Sequence, residues 1–424
     1  MKQESVPFTY SNSHATKAIL VGVSLPGNSH SISLNELTGL AVTAEYEPVA
    51  ELTQRLTEIN PKTFLGSGKV EELKQAVSHH LPEVVVFDEE LSPRQNRELE
   101  KFLKCRVIDR PWLILEIFSD HARTREAKTQ VELARLKYAL PRLTKMWGHL
   151  SRQRGGIGMK DVGETQIQLD QRMIRNQIHK LEKKLKQIDL EKKTQRKSRQ
   201  GVFKVALVGY TNVGKSSLMN KLTGADTLVE NRLFATLDST VRKIKKNFPY
   251  PVLLSDTVGL INKLPHDLVA SFKSTLDEVR NADLLIHVVD ISHHEYKNQM
   301  QITNNLLIEM EMDEIDVILV FNKTDSIEDI EELDKALQSH PSSIGISCKN
   351  NEGIDTLRQQ IANCYEKKLS PHQLSIQHSQ AGLISKIRKF ALIVNEDYEE
   401  DRICLSLRLP PGGKTKLENL FSEK

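Results

Sequence analysis

Apolar positions in the first 119 residues fall into short runs that alternate with segments of helical spacing. The runs have the length of strands and are rich in β-branched residues, whereas the other segments repeat apolar residues every three or four positions. Strands that alternate with helices predict an N-terminal α/β subdomain over residues 1–119. The predicted strands are residues 17–23, 84–87 and 106–108, and the predicted helices are residues 70–77 and 93–103, the second with Ser92 as its N-cap.

From residue 120 to residue 200 the apolar pattern changes to the three-and-four spacing of paired helices. A connection with four glycines, residues 151–163, separates the two apolar seams, and Pro141 should interrupt the first helix. The second helix, predicted from Glu164 to about Ser198, would extend roughly 50 Å. We therefore expect a long antiparallel hairpin with a basic, glycine-rich tip. Its seams are Leu133, Leu136, Leu140, Leu143, Trp147 and Leu150, and Ile167, Gln171, Ile174, Ile178, Leu181, Leu185 and Ile188.

A second α/β pattern begins at Gly201, and we assign residues 201–367 to one domain. Polar residues around Pro371 predict a linker over residues 367–380. Strict alternation of apolar residues from Ile403 to Leu409, followed by Pro410 and two glycines, predicts a half-buried strand and a turn. Residues 368–424 are thus predicted to form a small C-terminal α+β domain.

Charge is distributed unevenly along a chain of ordinary globular composition, with 39% hydrophobic and 27% charged residues. Residues 121–200 contain 21 lysines and arginines against 8 aspartates and glutamates, a net charge of +13. Because the whole chain carries +3, the other residues carry −10. This basic block predicts a surface that faces a polyanion such as nucleic acid, with a solvated helical face as the alternative.

No targeting or membrane-spanning segment is evident in the sequence. The N-terminus lacks the features of a signal peptide, and no apolar stretch approaches the roughly 20 residues that cross a bilayer. Four scattered cysteines form neither a disulfide framework nor a metal-binding pattern. We expect a cytoplasmic protein that has no membrane span and is monomeric when free.

A phosphate-binding loop follows the predicted strand at residues 205–208. Its spacing, Gly-x4-Gly-Lys-Ser, lets backbone N–H groups surround a β-phosphate, while a lysine neutralises the β- and γ-phosphates and a serine hydroxyl binds Mg²⁺. The residues are Gly209, Tyr210, Thr211, Asn212, Val213, Gly214, Lys215, Ser216 and Ser217.

Three further motifs, each after a predicted strand, indicate that the nucleotide is GTP or GDP. The first holds Mg²⁺ through an aspartate and reaches the γ-phosphate through a glycine N–H. In the second, a carboxylate accepts hydrogen bonds from N1–H and the 2-amino group of guanine; adenine offers neither donor. In the third, a backbone N–H is predicted to bind guanine O6. The motifs are Asp256, Thr257, Val258 and Gly259; Asn322, Lys323, Thr324 and Asp325; and Ser347, Cys348 and Lys349.

A segment between the phosphate-binding loop and the Asp256 motif is predicted to be a switch that closes when the γ-phosphate is bound. It consists of Phe234, Ala235, Thr236, Leu237 and Asp238. We predict that Ser216, Thr236 and Asp256 bind Mg²⁺ and that Lys215, Thr236 and Gly259 act in catalysis. An ordinary loop threonine is the alternative for Thr236.

Leu260 occupies the place where many GTPases carry a glutamine that orients the attacking water. Intrinsic hydrolysis should therefore be slow and depend on a partner or an ion. Related GTPases with an apolar residue at this place bind K⁺ through an asparagine in the P-loop, so Asn212 is a candidate K⁺ ligand. The alternative is that Asn212 only shapes the turn.

Gly66-Ser67-Gly68-Lys69 also suggests a phosphate-binding nest, but Val70 follows where a metal-binding hydroxyl is needed. A tight turn between a strand and a helix is the favoured interpretation.

Longer motifs resemble those of the HflX family of GTPases. They are the glycine-rich stretch at residues 150–166, the stretch Thr63–Glu72, and the switches at residues 234–238 and 256–259. The sequence departs from the family at Ser239, usually proline, and at Asp161 and Val162, usually glycine and proline. The resemblance implies a P-loop GTPase domain with an N-terminal α/β subdomain, a helical hairpin and a small C-terminal domain.

The resemblance further implies a factor that binds the large (50S) ribosomal subunit and 23S rRNA. Its helical arm would reach toward the peptidyl-transferase centre, and its GTP form would split stalled or idle 70S ribosomes. Two alternatives remain: a ribosome-assembly factor timed by GTP, and an RNA-remodelling enzyme with a second nucleotide site at residues 66–69. For the hairpin itself, the alternative is a spacer that contacts nothing.

Overall fold

The structure, a computed structural model, describes residues 16–24, 30–143, 160–197, 202–225, 233–234, 240–244, 248, 252–263, 278–312, 314–327, 330–388, 390–410 and 412–422. The chain divides into two compact units: residues up to His121 together with Val131–His179, and Ala122–Gln130 together with Lys180–Lys424. No helix within the described ranges has the length and apolar character that crossing a membrane requires.

The N-terminal part is a parallel four-stranded sheet with the order β2-β1-β3-β4. The predicted strands and helices are present, and Ser92 caps its helix by accepting a hydrogen bond from the Gln95 N–H. The structure adds β2 and two helices that we did not predict. The elements are β1 (Thr16–Ser24), α1 (His30–Thr43), β2 (Tyr46–Arg55), α2 (Ser67–His80), β3 (Val84–Phe87), α3 (Pro93–Leu103), β4 (Arg106–Asp109) and α4 (Arg110–His121).

Two long helices, α5 (Arg125–Ala139) and α6 (Lys160–Lys197), form the predicted hairpin. They are antiparallel, since Gln177 donates a hydrogen bond to Glu132 at 2.8 Å, whereas Lys192, further along α6, pairs with Glu126, earlier in α5. Helix α5 ends just before Pro141, as predicted for the interruption.

The heptad frame of α6 is visible in its burial pattern. Leu181 is buried, and the other seam positions from Gln171 to Ile188 are half-buried, whereas most positions between them are exposed. One boundary was wrong: α6 begins at Lys160, so the last residues of the predicted glycine-rich tip, up to Gly163, are helical. A single glycine costs a helix only about 1 kcal/mol, which the long helix tolerates. Residues 144–159 lie outside the described ranges.

The end of α5 is bound to the N-terminal sheet. Tyr138 Oη donates to the buried Asp109 carboxylate at 2.6 Å, and Arg142 Nη2 donates to the Leu91 carbonyl oxygen at 2.7 Å. Burial raises the pKa of Asp109, although its hydrogen bonds with Tyr138 and with backbone N–H groups oppose the rise. The first helix of the hairpin is therefore fixed at its far end by buried polar contacts.

A six-stranded sheet with the order β10-β9-β8-β5-β7-β6 forms the next domain. All neighbouring strands are parallel except β6, which is antiparallel to β7. The four strands that we predicted here are all present. The elements are β5 (Phe203–Gly209), α7 (Lys215–Thr223), β6 (Thr240–Lys243), β7 (Val252–Asp256), β8 (Leu284–Asp290), α8 (Tyr296–Glu309), β9 (Val317–Asn322), α9 (Ile330–Ser339), β10 (Ile344–Gly345) and α10 (Ile354–Lys367).

The C-terminal part is an antiparallel sheet with the order β11-β13-β12. The linker predicted over residues 367–380 is wrong, because β11 (Ser370–Gln377) lies within it. Pro371 is tolerated since β11 is an edge strand, where a missing N–H breaks no central ladder. The remaining elements are α11 (Gly382–Ile387), β12 (Leu392–Tyr398), β13 (Arg402–Leu409) and α12 (Gly413–Ser422).

Candidate functional site

Four predicted motifs meet at the carboxyl edge of the six-stranded sheet. The phosphate-binding loop follows β5, the Asp256 motif follows β7, the Asn322 motif follows β9, and Ser347 lies just after β10. Because these strands are parallel, their following loops gather at one edge, where open α/β sheets bind ligands. The sheet therefore brings together residues that lie as much as 140 positions apart in the sequence.

The backbone of the phosphate-binding loop needs glycine at two places. Gly209 has a φ of +150°, and a Cβ there would stand 2.2 Å from the Val288 carbonyl oxygen. Gly214 has a φ of +97°, and a Cβ there would stand 2.3 Å from Asn322 Nδ2. Any larger residue would clash with backbone or with a buried amide, so both glycines follow from close packing.

Asn212 is exposed and adopts a left-handed conformation with a φ of +62°. Asparagine tolerates this conformation better than most residues, which fits the turn-shaping interpretation. Binding of K⁺ by Asn212 remains a prediction.

Lys215 begins α7 and is 6% exposed. Its ammonium group donates hydrogen bonds to the carbonyl oxygens of Gly209 at 3.0 Å and Tyr210 at 2.7 Å, so it lies within the curve of the loop. Burial lowers the pKa of Lys215 to about 8, and the nearby Asp256 carboxylate opposes the shift. A buried cation enclosed by the loop is suited to neutralising phosphate charge.

Two of the three predicted magnesium ligands, Ser216 and Asp256, lie together. Ser216 Oγ donates to Asp256 Oδ2 at 2.6 Å, and Asp256 is 3% exposed. Oxygen ligands from a hydroxyl and a carboxylate are those that Mg²⁺ prefers, so the residues present fit this ion. Thr257, the next residue, donates its hydroxyl to the Leu207 carbonyl oxygen at 2.6 Å and holds the motif against β5.

The chain after Asp256 runs along the phosphate-binding loop. The Leu260 N–H donates to the Gly209 carbonyl oxygen at 3.1 Å, and the Thr211 N–H donates to the Leu260 carbonyl oxygen at 2.9 Å. Tyr210 Oη accepts a third bond, from the Asn262 N–H at 2.8 Å. These bonds fix Gly259 beside the loop, where a Cβ would stand 3.2 Å from Lys215 Nζ.

The guanine-side carboxylate is held by neighbours. Asp325 Oδ1 accepts from Ser347 Oγ at 2.6 Å, and Asp325 Oδ2 accepts from Ser326 Oγ at 3.1 Å. The hydrogen bond from Ser347 lowers the pKa of Asp325, with smaller contributions from Ser326 and Lys349, so the carboxylate stays ionised. An ionised acceptor is what recognition of the two guanine donors requires.

A cleft of about 680 Å³ opens between the phosphate-side and base-side loops. This volume is within the usual range for small-ligand sites. Its lining contains predicted residues and also several on α7 that we did not predict, including Lys221. The lining residues are Gly214, Ser217, Asn220, Lys221, Gly224, Ala225, Asn322, Lys323, Asp325, Ser326, Cys348 and Lys349.

The structure describes some of the remaining predicted site residues and leaves others outside the described ranges. Val213 and Phe234 are buried, Val258 is half-buried, and the Thr324 N–H donates to the Ile346 carbonyl oxygen at 3.2 Å. In the motif whose backbone is predicted to bind guanine O6, the Cys348 N–H donates to Asn322 Oδ1 at 3.3 Å. The predicted switch residues Ala235, Thr236, Leu237 and Asp238 lie outside the described ranges.

Three contacts at the site were missed by the sequence reasoning. Asp290, at the end of β8, accepts from Lys323 Nζ at 2.6 Å and so fixes the lysine of the Asn322 motif. Arg358 on α10 donates to the Lys221 carbonyl oxygen at 3.0 Å. The third is the Tyr210 hydroxyl contact described above. Only Asp290 had a signal in the sequence, since a carboxylate at the end of a buried strand points to this sheet edge.

The segment Gly66–Lys69 begins a helix. Gly66 is the N-cap of α2, and its N–H donates to Gln54 Oε1 at 3.1 Å. Lys69 Nζ pairs with Glu72 at 2.7 Å. It follows a loop that begins after β2, so it is a loop-to-helix junction instead of the predicted tight turn after a strand.

Comparison with known proteins gives matches along most of the chain. Three family models match it: "GTP-binding GTPase N-terminal" over residues 31–119, "GTP-binding GTPase Middle Region" over residues 121–199, and "50S ribosome-binding GTPase" over residues 204–323.

Curated relatives named GTPase HflX are also similar. The protein from Flavobacterium psychrophilum is 50% identical, with 73% of this chain and 76% of that protein covered. The protein from Magnetococcus marinus is 42% identical, with 91% and 90% covered. The protein from Escherichia coli is 39% identical, with 93% of each chain covered.

Proposed function

Since this chain belongs to the HflX family of GTPases, we propose that it couples hydrolysis of GTP to binding of the large (50S) ribosomal subunit. The observation that carries the proposal is the meeting of four predicted nucleotide motifs at the carboxyl edge of one sheet, where residues of three of them line a single cleft. In particular, Ser347 orients Asp325 for guanine, and Ser216 lies against Asp256 for a phosphate-bound metal ion. The family model described as a ribosome-binding GTPase matches this same domain.

In the proposed mechanism the chain's residues bind and orient GTP. Asp325 accepts from the guanine N1–H and 2-amino group, and Lys215 neutralises the β- and γ-phosphates. Ser216, Asp256 and Thr236 are the residues that would hold Mg²⁺. When bound, Mg²⁺ neutralises charge that develops between the β- and γ-phosphates. Gly259 contributes its N–H to the γ-phosphate.

The helical hairpin is proposed to bind 23S rRNA near the peptidyl-transferase centre. Support comes from α6, along which basic side chains are exposed over about four turns; these are Arg172, Arg175, Lys180, Lys183 and Lys186. Such a row suits rRNA phosphates, whose attraction weakens as salt rises.

The proposed cycle is a switch. GTP orders the loops at Thr236 and Gly259, the ordered form holds the hairpin on the ribosome and splits stalled or idle 70S particles, and hydrolysis releases the protein. Because Leu260 offers no group to orient water, the ribosome is expected to accelerate hydrolysis. We place this cycle in the cytoplasm, with K⁺ at Asn212 as a further proposed activator.

The test is GTP hydrolysis at physiological Mg²⁺ and K⁺, alone and with purified 50S or 70S particles. We expect strong stimulation by 50S, which is lost in Lys215→Ala and in a variant lacking residues 151–159. Sedimentation with a non-hydrolysable GTP analogue should show 70S particles converted to subunits. If ribosomal particles change neither hydrolysis nor sedimentation, the ribosomal part of the proposal fails and only the GTPase assignment stands.

Charge reversal on the hairpin gives a sharper test of rRNA binding. Lys180→Glu combined with Lys183→Glu should weaken 50S binding and reduce its salt dependence, without changing GDP affinity. The control with the same change in net charge is Lys335→Glu combined with Lys414→Glu. Lys335, on α9, pairs with Glu331 at 3.3 Å, and Lys414, on α12, is exposed. Equal loss in both variants would mean that overall charge, and not the hairpin, determines binding.

Neither alternative gains a specific observation. A role in ribosome assembly would appear as immature subunits on depletion of the protein. A second nucleotide site at residues 66–69 is disfavoured, because the Lys69 ammonium pairs with Glu72 and the Gly66 N–H binds Gln54.

A further inference from the structure

The side chain of Leu260 cannot form a hydrogen bond with the attacking water or with the γ-phosphate. Leu260 is 6% exposed, its N–H binds the Gly209 carbonyl oxygen, and its own carbonyl oxygen accepts from the Thr211 N–H. Both backbone groups and the apolar side chain are therefore committed to packing against the phosphate-binding loop. A further side-chain donor to the γ-phosphate has to come from another residue.

Thr211 is the residue of the loop that lies against this segment. A Cβ at Gly259 would stand 2.8 Å from Thr211 Cγ2, 2.9 Å from Thr211 Cα and 3.2 Å from Lys215 Nζ. Thr211 is thus next to Gly259 and close to the Lys215 ammonium, the two groups that we assign to the γ-phosphate. Its backbone N–H is used by Leu260, which leaves the hydroxyl as its polar group for a ligand.

The Thr211 hydroxyl is buried and has no hydrogen-bond partner among the described residues. The residue is 6% exposed, and Oγ1 is inaccessible to solvent. Two other buried threonines of this domain behave differently: Thr257 and Thr223 donate their hydroxyls to backbone carbonyl oxygens at 2.6 Å and 2.8 Å. A buried hydroxyl without a partner weakens a fold, so its presence beside a phosphate site calls for a ligand that satisfies it.

We propose that Thr211 Oγ1 donates a hydrogen bond to a γ-phosphate oxygen of bound GTP. In the reaction, water adds to the γ-phosphorus while the bond to the β–γ bridging oxygen breaks, which yields GDP, inorganic phosphate and a proton. Charge on the γ-phosphate oxygens is stabilised by such donors in the transition state. The hydroxyl thereby contributes to hydrolysis and to preference for GTP over GDP, which has no γ-phosphate. This inference rests on the proposed GTPase site.

The experiment compares one substitution that removes the hydroxyl with one that keeps it. Thr211→Val keeps the shape and removes the donor, whereas Thr211→Ser keeps the donor. We expect Thr211→Val to lower kcat about tenfold or more and to weaken binding of a non-hydrolysable GTP analogue about ten- to hundredfold, the loss of one hydrogen bond to a charged group. Affinity for GDP should stay within about twofold of wild type, and Thr211→Ser should retain most activity.

Thr303→Val is the matched control. Thr303 on α8 is also buried, at 0% exposure, and its Oγ1 likewise has no partner among the described residues. Thr303→Val should leave kcat and the affinities for the GTP analogue and for GDP unchanged. The melting temperature of this variant should stay the same or rise, as should that of Thr211→Val. The shared stability readout separates loss of the fold from loss of the contact.

Two outcomes would be decisive against the inference. If Thr211→Val hydrolyses GTP and discriminates the analogue from GDP like wild type, the hydroxyl is only a packing feature and the inference fails, while an inactive Lys215→Ala keeps the proposed function intact. If wild type hydrolyses no GTP with or without ribosomal particles, the proposed function fails. In that case an unchanged ratio of analogue to GDP affinity in Thr211→Val would still overturn the hydroxyl contact separately.

Discussion

Asn322 Nδ2 donates a hydrogen bond to the Val213 carbonyl oxygen at 2.8 Å, across 109 positions of sequence. The other end of the same amide, Oδ1, accepts from the Cys348 N–H at 3.3 Å. Both bonds are buried. One side chain therefore joins the phosphate-binding loop to the loop after β10, and the cleft depends on it for its shape.

Asn322→Ala should weaken binding of GDP and GTP alike, by about ten- to hundredfold. Two buried hydrogen bonds are lost, and each unsatisfied partner costs about 1–3 kcal/mol. Titration with fluorescent GDP and with a GTP analogue measures both affinities. Asn350→Ala is the control, since Asn350 is exposed and its side-chain amide donates to Glu352 Oε1 at 3.3 Å. Selective loss of the GTP analogue alone would contradict this account.

Nucleotide affinity should depend on pH through Lys215. Burial lowers the pKa of its ammonium to about 8 in the free protein, and phosphate binding requires the charged form. Affinity for GDP should therefore be constant below about pH 7.5 and fall by up to about tenfold per unit above pH 8. Binding measured from pH 6.5 to 9.5 tests this, and constant affinity up to pH 9.5 would exclude it.

The lowered pKa of Lys215 also predicts how the stability of the nucleotide-free protein depends on pH. The folded-state pKa of about 8 lies below the unfolded value of about 10.5. Between these values the unfolded state binds more protons, so stability relative to Lys215→Met should rise with pH from about 8 to 10.5. Below pH 8 the difference between the two proteins should be constant. A wild-type stability that falls over this window relative to the variant would contradict the shift.

Gly259→Ala should block the response to the γ-phosphate while sparing GDP. The added Cβ would stand 2.8 Å from Thr211 Cγ2 and 2.9 Å from its Cα. The segment that contains residue 259 therefore has to move away from the phosphate-binding loop. We expect about a tenfold or larger loss in the preference for a GTP analogue over GDP, and a similar loss in hydrolysis. Gly68→Ala serves as control, because a Cβ there meets nothing within 4 Å. Normal hydrolysis by Gly259→Ala would show that the segment is free to relax.

Leu181→Ala should destabilise the helical hairpin. Leu181 is 8% exposed and occupies a seam position of α6, so truncation is expected to cost about 2–4 kcal/mol. Leu190→Ala, at 64% exposure on the same helix, should cost less than about 0.5 kcal/mol. Chemical denaturation of the two variants compares them directly. Similar stabilities would mean that α6 stands without support from its apolar seam.

Local sequence patterns were sufficient to predict several secondary-structure elements. The β-branched runs that became β1, β3 and β5, the N-cap at Ser92 and the break before Pro141 all depend on interactions within a few residues. The heptad frame of α6 is equally local, because its spacing alone selects the face that is covered. By contrast, β2 has only Leu52 fully buried, so its weak alternation gave no prediction. Pro371 misled us because the sequence does not say which strands lie at an edge.

By itself the sequence determined the chemistry of the candidate site: its four motifs, their order, and the missing glutamine at Leu260. Each of these chemical roles depends on a particular residue type at a fixed spacing after a strand. Only the tertiary structure decided which groups meet. The bond from Asn322 to Val213 and the pairing of Asp290 with Lys323 join segments that are distant in sequence, and packing of the chain buries the hydroxyl of Thr211. Such contacts arise from packing at the sheet edge, where distances of a few tenths of an ångström decide whether a polar group is satisfied.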